Sequence, residues 1–210
     1  MRGLFITFEG IDGSGKSTQI SRLRDYLVDK GYRVVLTREP GGTSIGEKIR
    51  ELLLDRESSG MHPLTELFLY FASRAQHASE FIIPLLEQGV TVISDRFHDS
   101  SVAYQGGGRK LGIETVEDLR KLATLGLEPD ITFYLNIDPT VARERMGNRM
   151  FDRLEAEKLE FYRRIRNAYG ELLKIYPGRI KLIDASGTPD DVWKRIEQQI
   201  EHLWKDRRSR

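Results

Sequence analysis

The chain of 210 residues is predicted to adopt an α/β fold, in which a five-stranded parallel sheet is covered by helices on both faces. Two observations support this prediction. Five short, nearly continuous apolar runs alternate with segments of helical spacing, a pattern that is typical of strands buried on both faces. A glycine-rich run joins the first apolar run to the first helix, and α/β folds of this kind bind ligands at the carboxyl ends of their strands.

The five predicted strands are justified by their apolar, β-branched and aromatic composition. The first contains Leu4-Phe5-Ile6-Thr7-Phe8, and the second contains Val34-Val35-Leu36 and follows a helix stop at Gly31. The third strand begins after Gly89. In chain order, the predicted strands cover residues 4–9, 33–37, 90–94, 131–136 and 179–183.

The predicted helices fill the gaps between these strands. Ile20, Leu23 and Leu27 repeat at helical spacing after the glycine-rich run, so the first helix begins there. Residues 44–54 and 64–80 show the same spacing, and a short helix interrupted at Pro84 should end at Gly89. A long helix over residues 154–175 should pack on the sheet.

Composition limits the classes of protein to which the chain can belong. The length suits one domain, residues 1–210, and 33 basic residues balance 32 acidic ones, so we expect neither a nucleic-acid nor a membrane partner. There is no cysteine, which excludes disulfides and thiolate catalysis. No apolar stretch of about 18 residues is present. We therefore expect a soluble, cytoplasmic protein.

The glycine-rich run matches the phosphate-loop pattern G-x-x-x-x-G-K-[ST] and predicts a bound nucleoside triphosphate. Its glycines let backbone N–H groups surround phosphate oxygens, its lysine supplies a point charge, and its serine hydroxyl can bind Mg²⁺. The loop ends at a helix N-terminus, which favours anions, and this context argues against a simple glycine turn. The predicted ATP-binding residues are Gly10, Ile11, Asp12, Gly13, Ser14, Gly15, Lys16, Ser17 and Thr18.

Charged residues follow the third strand, at the edge of the sheet where the phosphate loop should lie. Asp95 there can hold Mg²⁺ directly or through water, together with Ser17. Arg96 follows it directly, and the alternative for the two residues is a surface ion pair. We favour the ligand site, because solvation alone does not explain adjacent opposite charges at the end of a buried strand.

Four arginines lie within residues 142–154, which we predict to form a lid. They are Arg143, Arg145, Arg149 and Arg153, with a bend at Gly147 and Asn148. Guanidinium groups that fold over transferring phosphates stabilise the charge of the transition state. Spacing alone supports a solvent-exposed, charged helix face equally well.

Several motifs together resemble those of the thymidylate kinase family, and the resemblance covers essentially the whole chain. They include residues 9–18, Thr37-Arg38-Glu39-Pro40-Gly41-Gly42-Thr43, Ser73-Arg74, residues 95–109, Glu128-Pro129-Asp130 and Asp152-Arg153-Leu154-Glu155. The resemblance implies a P-loop nucleoside monophosphate kinase-like fold. It also implies ATP- and Mg²⁺-dependent phosphorylation of dTMP to dTDP by in-line transfer, a lid, and a homodimer.

The resemblance also assigns tasks to single residues. The catalytic residues it implies are Lys16, Arg96, Arg145 and Arg149, with Arg96 bridging the donor and acceptor phosphates and Arg143 packing along the adenine ring. Residues 185–189 are expected to shape the adenine pocket. The dTMP site it implies comprises Asp12, Glu39, Arg50, Tyr70, Arg74, Arg96, Ser101, Tyr104 and Gln105.

Within the implied dTMP site, Arg50 clamps the phosphate and Asp12 accepts from the 3′-hydroxyl. Arg74 donates to O4 of thymine, Ser101 and Gln105 meet the remaining pyrimidine edge, and Tyr104 crowds the 2′ carbon. The family commonly has a phenylalanine four residues before Arg74. Tyr70 stands there in this chain, with Phe71 beside it, so either ring could stack on the base.

Two other functions share parts of these motifs. A GTPase-type switch protein shares the phosphate loop, but it needs an Asn-Lys-x-Asp stretch after a strand, and Asn136-Ile137-Asp138 does not supply it. Another nucleotide or nucleoside kinase is a stronger alternative, because few contacts select the acceptor. The four histidines lack metal-ligand spacing, and we predict that they lie on the surface.

Overall fold

The sheet of the computed structural model has five parallel strands in the order β2-β3-β1-β4-β5. The structure describes residues 2–147 and 150–208, with side chains as far as residue 201. The strands are β1 (Phe5–Glu9), β2 (Val34–Arg38), β3 (Thr91–Asp95), β4 (Ile131–Asn136) and β5 (Ile180–Asp184). The predicted parallel sheet is confirmed. Three strands, β2, β3 and β5, begin and end one residue later than predicted, because Arg38 and Asp95 still pair in register as strand residues.

Helices connect the strands and continue beyond the last one. They are α1 (Lys16–Asp29), α2 (Ser44–Leu54), α3 (Pro63–His77), α4 (Ile83–Glu87), α5 (His98–Ser101), α6 (Ile113–Ala123), α7 (Pro139–Met146), α8 (Leu159–Ile175) and α9 (Pro189–Arg208). A 3₁₀ turn covers Arg56–Gly60, and π-helical segments cover Ala78–Ile82 and Val102–Gly108. None of the helices in the described ranges combines the length and the hydropathy that crossing a membrane requires.

Alternate residues of the central strand β1 point to opposite faces of the sheet, and helices cover both faces. Phe5 packs with Ala78 and Ile82 of the π-helical segment between α3 and α4. Ile6 and Phe8 belong instead to a larger core that includes Leu23 of α1. The burial of both faces explains why the strands are apolar along their whole length.

Two helix boundaries differ from the prediction. The helix that begins at Pro63 continues through the π-helical segment into α4, so Pro84 does not interrupt it. A wider turn accommodates the proline, which would clash with a carbonyl one turn earlier in a regular α-helix. The predicted start of α8 at residue 154 is also wrong. The Asp152 carboxylate accepts hydrogen bonds from the backbone N–H groups of Leu154 and Glu155, and this turn delays the helix to Leu159.

The carboxyl ends of three neighbouring strands carry the polar motifs. The phosphate loop follows β1, the turn at Glu39 follows β2, and Arg96 follows β3. Because β3 lies between β2 and β1, all three motifs meet at one edge of the sheet.

Candidate active site

The phosphate loop joins β1 to the N-terminus of α1, and its backbone shape depends on glycine. Gly10, Gly13 and Gly15 have φ angles of 134°, 82° and 92°, in the region that side chains other than glycine rarely adopt. The hydroxyl-bearing residues Ser17 and Thr18 are exposed in the first turn of α1. The free N–H groups of that turn and the helix dipole favour an anion there.

Lys16 turns its ammonium group back onto the loop. Its Nζ donates to the carbonyl oxygens of Gly10 (3.1 Å) and Ile11 (3.3 Å), and it lies 3.8 Å from Asp12 Oδ1 and 3.9 Å from Asp95 Oδ1. Burial lowers the pKa of Lys16, and the neighbouring carboxylates oppose that effect. Carbonyl and carboxylate oxygens therefore hold the Lys16 Nζ over the loop.

The Arg96 guanidinium reaches the same loop from β3. Nη1 donates to the Gly10 carbonyl at 2.7 Å, and Nη2 donates to Asp12 Oδ1 at 2.9 Å. Arg96 and Lys16 thus share one carbonyl acceptor, as the bridging hypothesis requires. Burial by itself lowers the pKa of Arg96, but Asp12, Tyr104, Tyr169 and Asp95 together outweigh burial and raise this pKa above its ordinary value.

Sequence reasoning missed the residue that shapes the backbone around Arg96. The φ angle of Arg96 is 74°, a strained value for a residue with a side chain. Glu9 is fully buried, and it accepts from the Phe97 N–H (2.8 Å), the Ser100 hydroxyl (2.5 Å) and the Tyr169 hydroxyl (2.7 Å). These bonds fix the chain directly after Arg96. No local pattern indicated this role, because Glu9 precedes the loop as an ordinary strand end.

Asp95 presents a free oxygen beside the loop. Its Oδ1 atom is buried and has no hydrogen-bond partner among the described residues, although Lys16 lies nearby. Carboxylate and hydroxyl oxygens are ligands that Mg²⁺ prefers, and a site that also uses nucleotide phosphates needs few protein ligands. Asp95 Oδ1 and the exposed Ser17 hydroxyl therefore fit a magnesium ion.

Two cavities open on either side of Asp12 and Asp95, and both residues line both cavities. The first, the phosphate-loop cavity, is lined by residues 12–19 together with Arg145, Gly187, Pro189 and Val192. The second, the acceptor cavity, has a volume of about 650 Å³. Its lining residues include Glu39, Arg50, Tyr70, Arg96, Ser101, Tyr104, Gln105 and Asp152.

Eight of the nine predicted dTMP-site residues line the acceptor cavity. Tyr70 lines it, whereas Phe71 packs in the core, so Tyr70 is the ring that can stack on a base. Arg50 donates to the Pro40 carbonyl at 2.8 Å and faces the cavity. The Tyr104 ring lies under the Arg96 guanidinium, 4.9 Å from ring centre to Cζ.

Arg74 is the predicted dTMP-site residue that does not line the cavity. It is buried, and it donates to Glu39 Oε2 (2.7 Å), to the Ser101 hydroxyl (2.9 Å) and to the Phe97 carbonyl (3.1 Å). The other Glu39 oxygen lies 3.1 Å from Nδ1 of His77. Arg74 and Glu39 therefore form a buried polar wall directly behind Ser101.

The prediction that the histidines are surface residues is wrong for His77 and His98. Both are fully buried, and Nε2 of His98 lies 3.1 Å from Glu128 Oε2. His62 is exposed, as predicted, and it caps α3 by accepting from the Leu64 N–H. The side chain of His202 lies outside the described residues. Sequence spacing could not show this burial, because Glu39 and Glu128, which contact the two rings, are 38 and 30 residues away in the chain.

A second buried carboxylate, Glu66, was also missed. It accepts from Nε2 of Gln105 (2.8 Å), from Nε and Nη2 of Arg109 (3.1 and 3.0 Å), and from Nη1 of Arg153 (2.7 Å). Burial alone would raise the pKa of Glu66, but its hydrogen bonds and the two arginine charges outweigh burial and lower it. Glu66 is therefore ionised, and it joins α3 to the π-helical segment and to the chain after α7.

The arginine-rich segment divides into different environments. Arg145 lines the phosphate-loop cavity and donates to the Ala185 carbonyl at 3.1 Å. Arg143 faces away from that cavity, with its guanidinium 5.0 Å from the Phe151 ring. Arg153 is buried against Glu66, which excludes the solvent-exposed alternative for that residue. Arg149 lies outside the described residues.

The predicted lid, residues 142–154, begins in direct contact with the phosphate loop. A Cβ atom placed on Gly13 would lie 2.2 Å from the Ala142 carbonyl oxygen, so no larger residue fits there. Gly13 is thus required both by its φ angle and by the packing of α7.

Comparisons with known proteins agree with this geometry. A family model described as thymidylate kinase matches residues 8–196. A thymidylate kinase of Caldanaerobacter subterraneus subsp. tengcongensis is 48% identical over 205 residues, which cover 98% of each chain. One from Thermoanaerobacter sp. (strain X514) is 49% identical over 184 residues, covering 88% of this chain and 90% of the relative.

A solved structure gives the same result. The crystal structure of thymidylate kinase from Ehrlichia chaffeensis superimposes with a TM-score of 0.79 at 35% identity, and the match covers 95% of this chain and 100% of that one.

Proposed function

This chain belongs to the thymidylate kinase family and transfers a phosphate group from ATP to dTMP to give dTDP, and from that premise we propose how its two cavities divide the substrates. ATP occupies the phosphate-loop cavity, and dTMP occupies the acceptor cavity. Because Asp12 and Asp95 line both cavities, the two substrates meet at those residues.

The observation that carries this division is the meeting of two cations on one carbonyl. Lys16 reaches Gly10 from the donor side, and Arg96 reaches it from the acceptor side. Two phosphate groups repel each other, so a planar guanidinium between them lowers the cost of in-line approach. Arg96 then stabilises the charge of the transferring group, which is the main protein contribution to phosphoryl transfer.

We propose that Ser17 and Asp95 hold Mg²⁺. The ion, when bound, neutralises phosphate charge and orients the β- and γ-phosphates. Titration of activity with Mg²⁺ tests this assignment. Asp95→Asn is expected to raise the Mg²⁺ concentration required for half-maximal rate by about tenfold, and an unchanged requirement would remove Asp95 from the site.

On the acceptor side, Tyr70 stacks on thymine, and Arg50 binds the dTMP phosphate. Asp12 accepts from the 3′-hydroxyl, and this bond also fixes the guanidinium of Arg96, which donates to the same carboxylate. Tyr104 crowds the 2′ position. Ser101 and Gln105 meet the pyrimidine edge, and Arg74 acts through Ser101 and Glu39, to which it donates.

We propose that residues 142–154 act as the lid, and that Arg145 takes the adenine-side role expected of Arg143. Arg145 lies beside the loop that contains Gly187 and Pro189, and all three line the phosphate-loop cavity. Arg143 contacts Phe151 and the Glu157 carbonyl instead. Arg149 remains the candidate for transition-state contact within the lid.

We also propose a homodimer formed by α2 and α3. Ile45 and Leu52, seven residues apart on α2, are exposed, as are Leu64 and Phe68, four apart on the adjacent α3. Such an apolar surface is typical of a protein interface. Sedimentation of the wild type at the mass of two chains, and of Phe68→Glu at the mass of one, is the expected result. A monomeric wild type would exclude the dimer.

We place the enzyme in the cytoplasm, because ATP and deoxynucleotides are intracellular metabolites.

The assay that tests the proposal couples ADP release to dTMP, dUMP, dCMP, UMP and thymidine as acceptors. The expected result is much faster turnover with dTMP than with any other acceptor. Equal rates, or a preference for another compound, would instead support the alternative of a kinase with a different acceptor.

A further inference from the structure

We infer that Glu66 is a specificity-determining positioning residue, which orients the side-chain amide of Gln105 so that its carbonyl oxygen faces the acceptor cavity and selects a pyrimidine with a hydrogen on N3. The inference rests on the proposed placement of dTMP in that cavity. Glu66 itself is fully buried and does not line the cavity, so it acts through Gln105.

The contact between the two side chains is short and enclosed. Nε2 of Gln105 lies 2.8 Å from Oε1 of Glu66, and Gln105 has 1% of its surface exposed, yet it lines the cavity. Within the described residues, Gln105 Oε1 makes no hydrogen bond of its own. The amide therefore has one end committed to Glu66 and the other available to a ligand.

The charge of Glu66 determines which end of the Gln105 amide faces the carboxylate and which end faces the cavity. An ionised carboxylate can only accept hydrogen bonds, so it pairs with the NH₂ group of the amide and not with its carbonyl. Arg109 and Arg153 keep the carboxylate ionised by donating to it. Turning the amide over would place two acceptors together in a buried site, where neither could be satisfied.

This orientation discriminates between bases. Thymine and uracil carry a hydrogen on N3 and can donate to the Gln105 oxygen. Cytosine carries a lone pair on N3, so its approach would leave two buried acceptors facing each other. Sites built to accept one hydrogen-bond pattern reject the opposite pattern strongly for this reason.

Glu66→Gln is the variant that releases this constraint. A glutamine has one oxygen, and we expect it to take the position of Oε2. That position accepts from Nη1 of Arg153 (2.7 Å) and from both Nε and Nη2 of Arg109 (3.2 and 3.0 Å), and arginines can only donate. The amide nitrogen of the new side chain then faces Gln105 and donates to it. Gln105 is free to turn over and present NH₂ to the cavity, which suits cytosine.

The test is the ratio of kcat/KM for dTMP to that for dCMP. We expect Glu66→Gln to lower this ratio by about 10- to 100-fold, mostly by improving dCMP as an acceptor, while KM for ATP stays the same. A role limited to holding the fold would lower both rates and leave the ratio unchanged, and that outcome would overturn the inference.

Glu157→Gln is the matched control. Glu157 also pairs with Arg109, but it does not contact Gln105, so the same chemical change there should leave the dTMP to dCMP ratio as in the wild type. If both variants lower the ratio equally, Arg109 and not the carboxylate of Glu66 controls the selection.

If Glu66→Gln does not fold, the double variant Glu66→Gln/Arg153→Met supplies the same measurement, because it removes both charges of the 2.7 Å pair. The two hypotheses fail in different ways. A wild type without preference for dTMP over dCMP contradicts the proposed acceptor, whereas a wild type with that preference and a Glu66→Gln variant that retains it contradicts the role of Glu66.

Discussion

The two ends of the active-site cleft are built differently. The phosphate end, residues 10–18 with Asp95 and Arg96, is made largely of backbone groups and of charges that remain partly accessible. The acceptor end is supported by hydrogen-bonded side chains with almost no exposed surface: Glu39, Glu66, Arg74 and Gln105. Charges at the phosphate end can contact substrates, whereas charges at the acceptor end pair with each other and hold the cavity wall in place.

Because of this difference, arginines at the two ends should have different roles. Arg96 and Arg74 both pair with a carboxylate, at 2.9 and 2.7 Å. The partner of Arg96, Asp12, has 32% of its side chain exposed, whereas the partner of Arg74, Glu39, has 2%. Exposed pairs contribute little to stability, while breaking a buried pair leaves an uncompensated charge. We therefore expect one arginine to matter for rate and the other for folding.

Arg96→Ala should have the largest effect of all, and on catalysis alone. Removing the group between the two phosphates is expected to lower kcat by about 10⁴-fold, or about 5.5 kcal/mol. The dissociation constant for ATP should change less than about threefold, since Lys16 and the loop backbone remain. Rapid-quench turnover and equilibrium ATP titration check the two parts.

A fall in ATP affinity as large as the fall in rate would contradict the bridging role of Arg96. Lys16→Met serves as the matched control at the same carbonyl, because it is expected to lose ATP affinity along with rate. Neither variant should shift the free energy of unfolding by more than about 1 kcal/mol.

Arg74→Met should have the next largest effect, and on stability. Methionine fills a similar volume, but it leaves the Glu39 carboxylate buried with only His77 beside it among the described side chains. We expect a loss of about 3–5 kcal/mol in the free energy of unfolding measured with urea. If stability were unchanged, the acceptor end would be no more dependent on its charges than the phosphate end.

Neutralising the carboxylate as well separates the two explanations for that loss. In Arg74→Met/Glu39→Gln, no buried charge remains uncompensated, so part of the lost stability should return. Absence of any recovery would attribute the loss to packing instead.

The same contrast explains what the sequence could and could not predict. The phosphate loop is nine consecutive residues that one local motif identifies. The strand β4 and the helix α2 follow from local periodicity, and both were predicted with correct bounds. Arg96 was placed correctly for the same reason, because a strand end leads directly into it. Local patterns suffice where the chemistry is local.

The acceptor end depends on pairs that are distant in the chain. Glu66 meets Gln105 across 39 residues and Arg153 across 87, and no period or motif connects them. Resemblance to a family could name residues that meet the substrate, but not the carboxylates behind them. The burial of His98 was missed in the same way, since its partner Glu128 is 30 residues away.

The smallest expected effect tests whether buried charge also stabilises the segment that carries the acceptor wall. His98 is the first residue of α5, three residues before Ser101. Its Nδ1 lies 3.3 Å from Asp99 Oδ1 and its Nε2 lies 3.1 Å from Glu128 Oε2, while Arg179 pairs with Asp99. Burial by itself lowers the pKa of His98, but the two carboxylates outweigh both burial and Arg179, and they raise this pKa above 6.5.

Because the pKa of His98 is raised in the folded state, the direction in which stability changes with pH is fixed. The stabilisation is fully present below pH 6.5, where histidine is protonated in both states, and it is lost as the pH rises through the higher pKa of the folded state. The free energy of unfolding should therefore fall between pH 6 and pH 9, with a slope of at most about 1.4 kcal/mol per pH unit. In His98→Gln, which cannot titrate, this slope should disappear. If the wild type and His98→Gln showed the same slope, another group would cause the pH dependence. The charge on His98 would then not stabilise the acceptor end, and packing would be the remaining explanation for its stability.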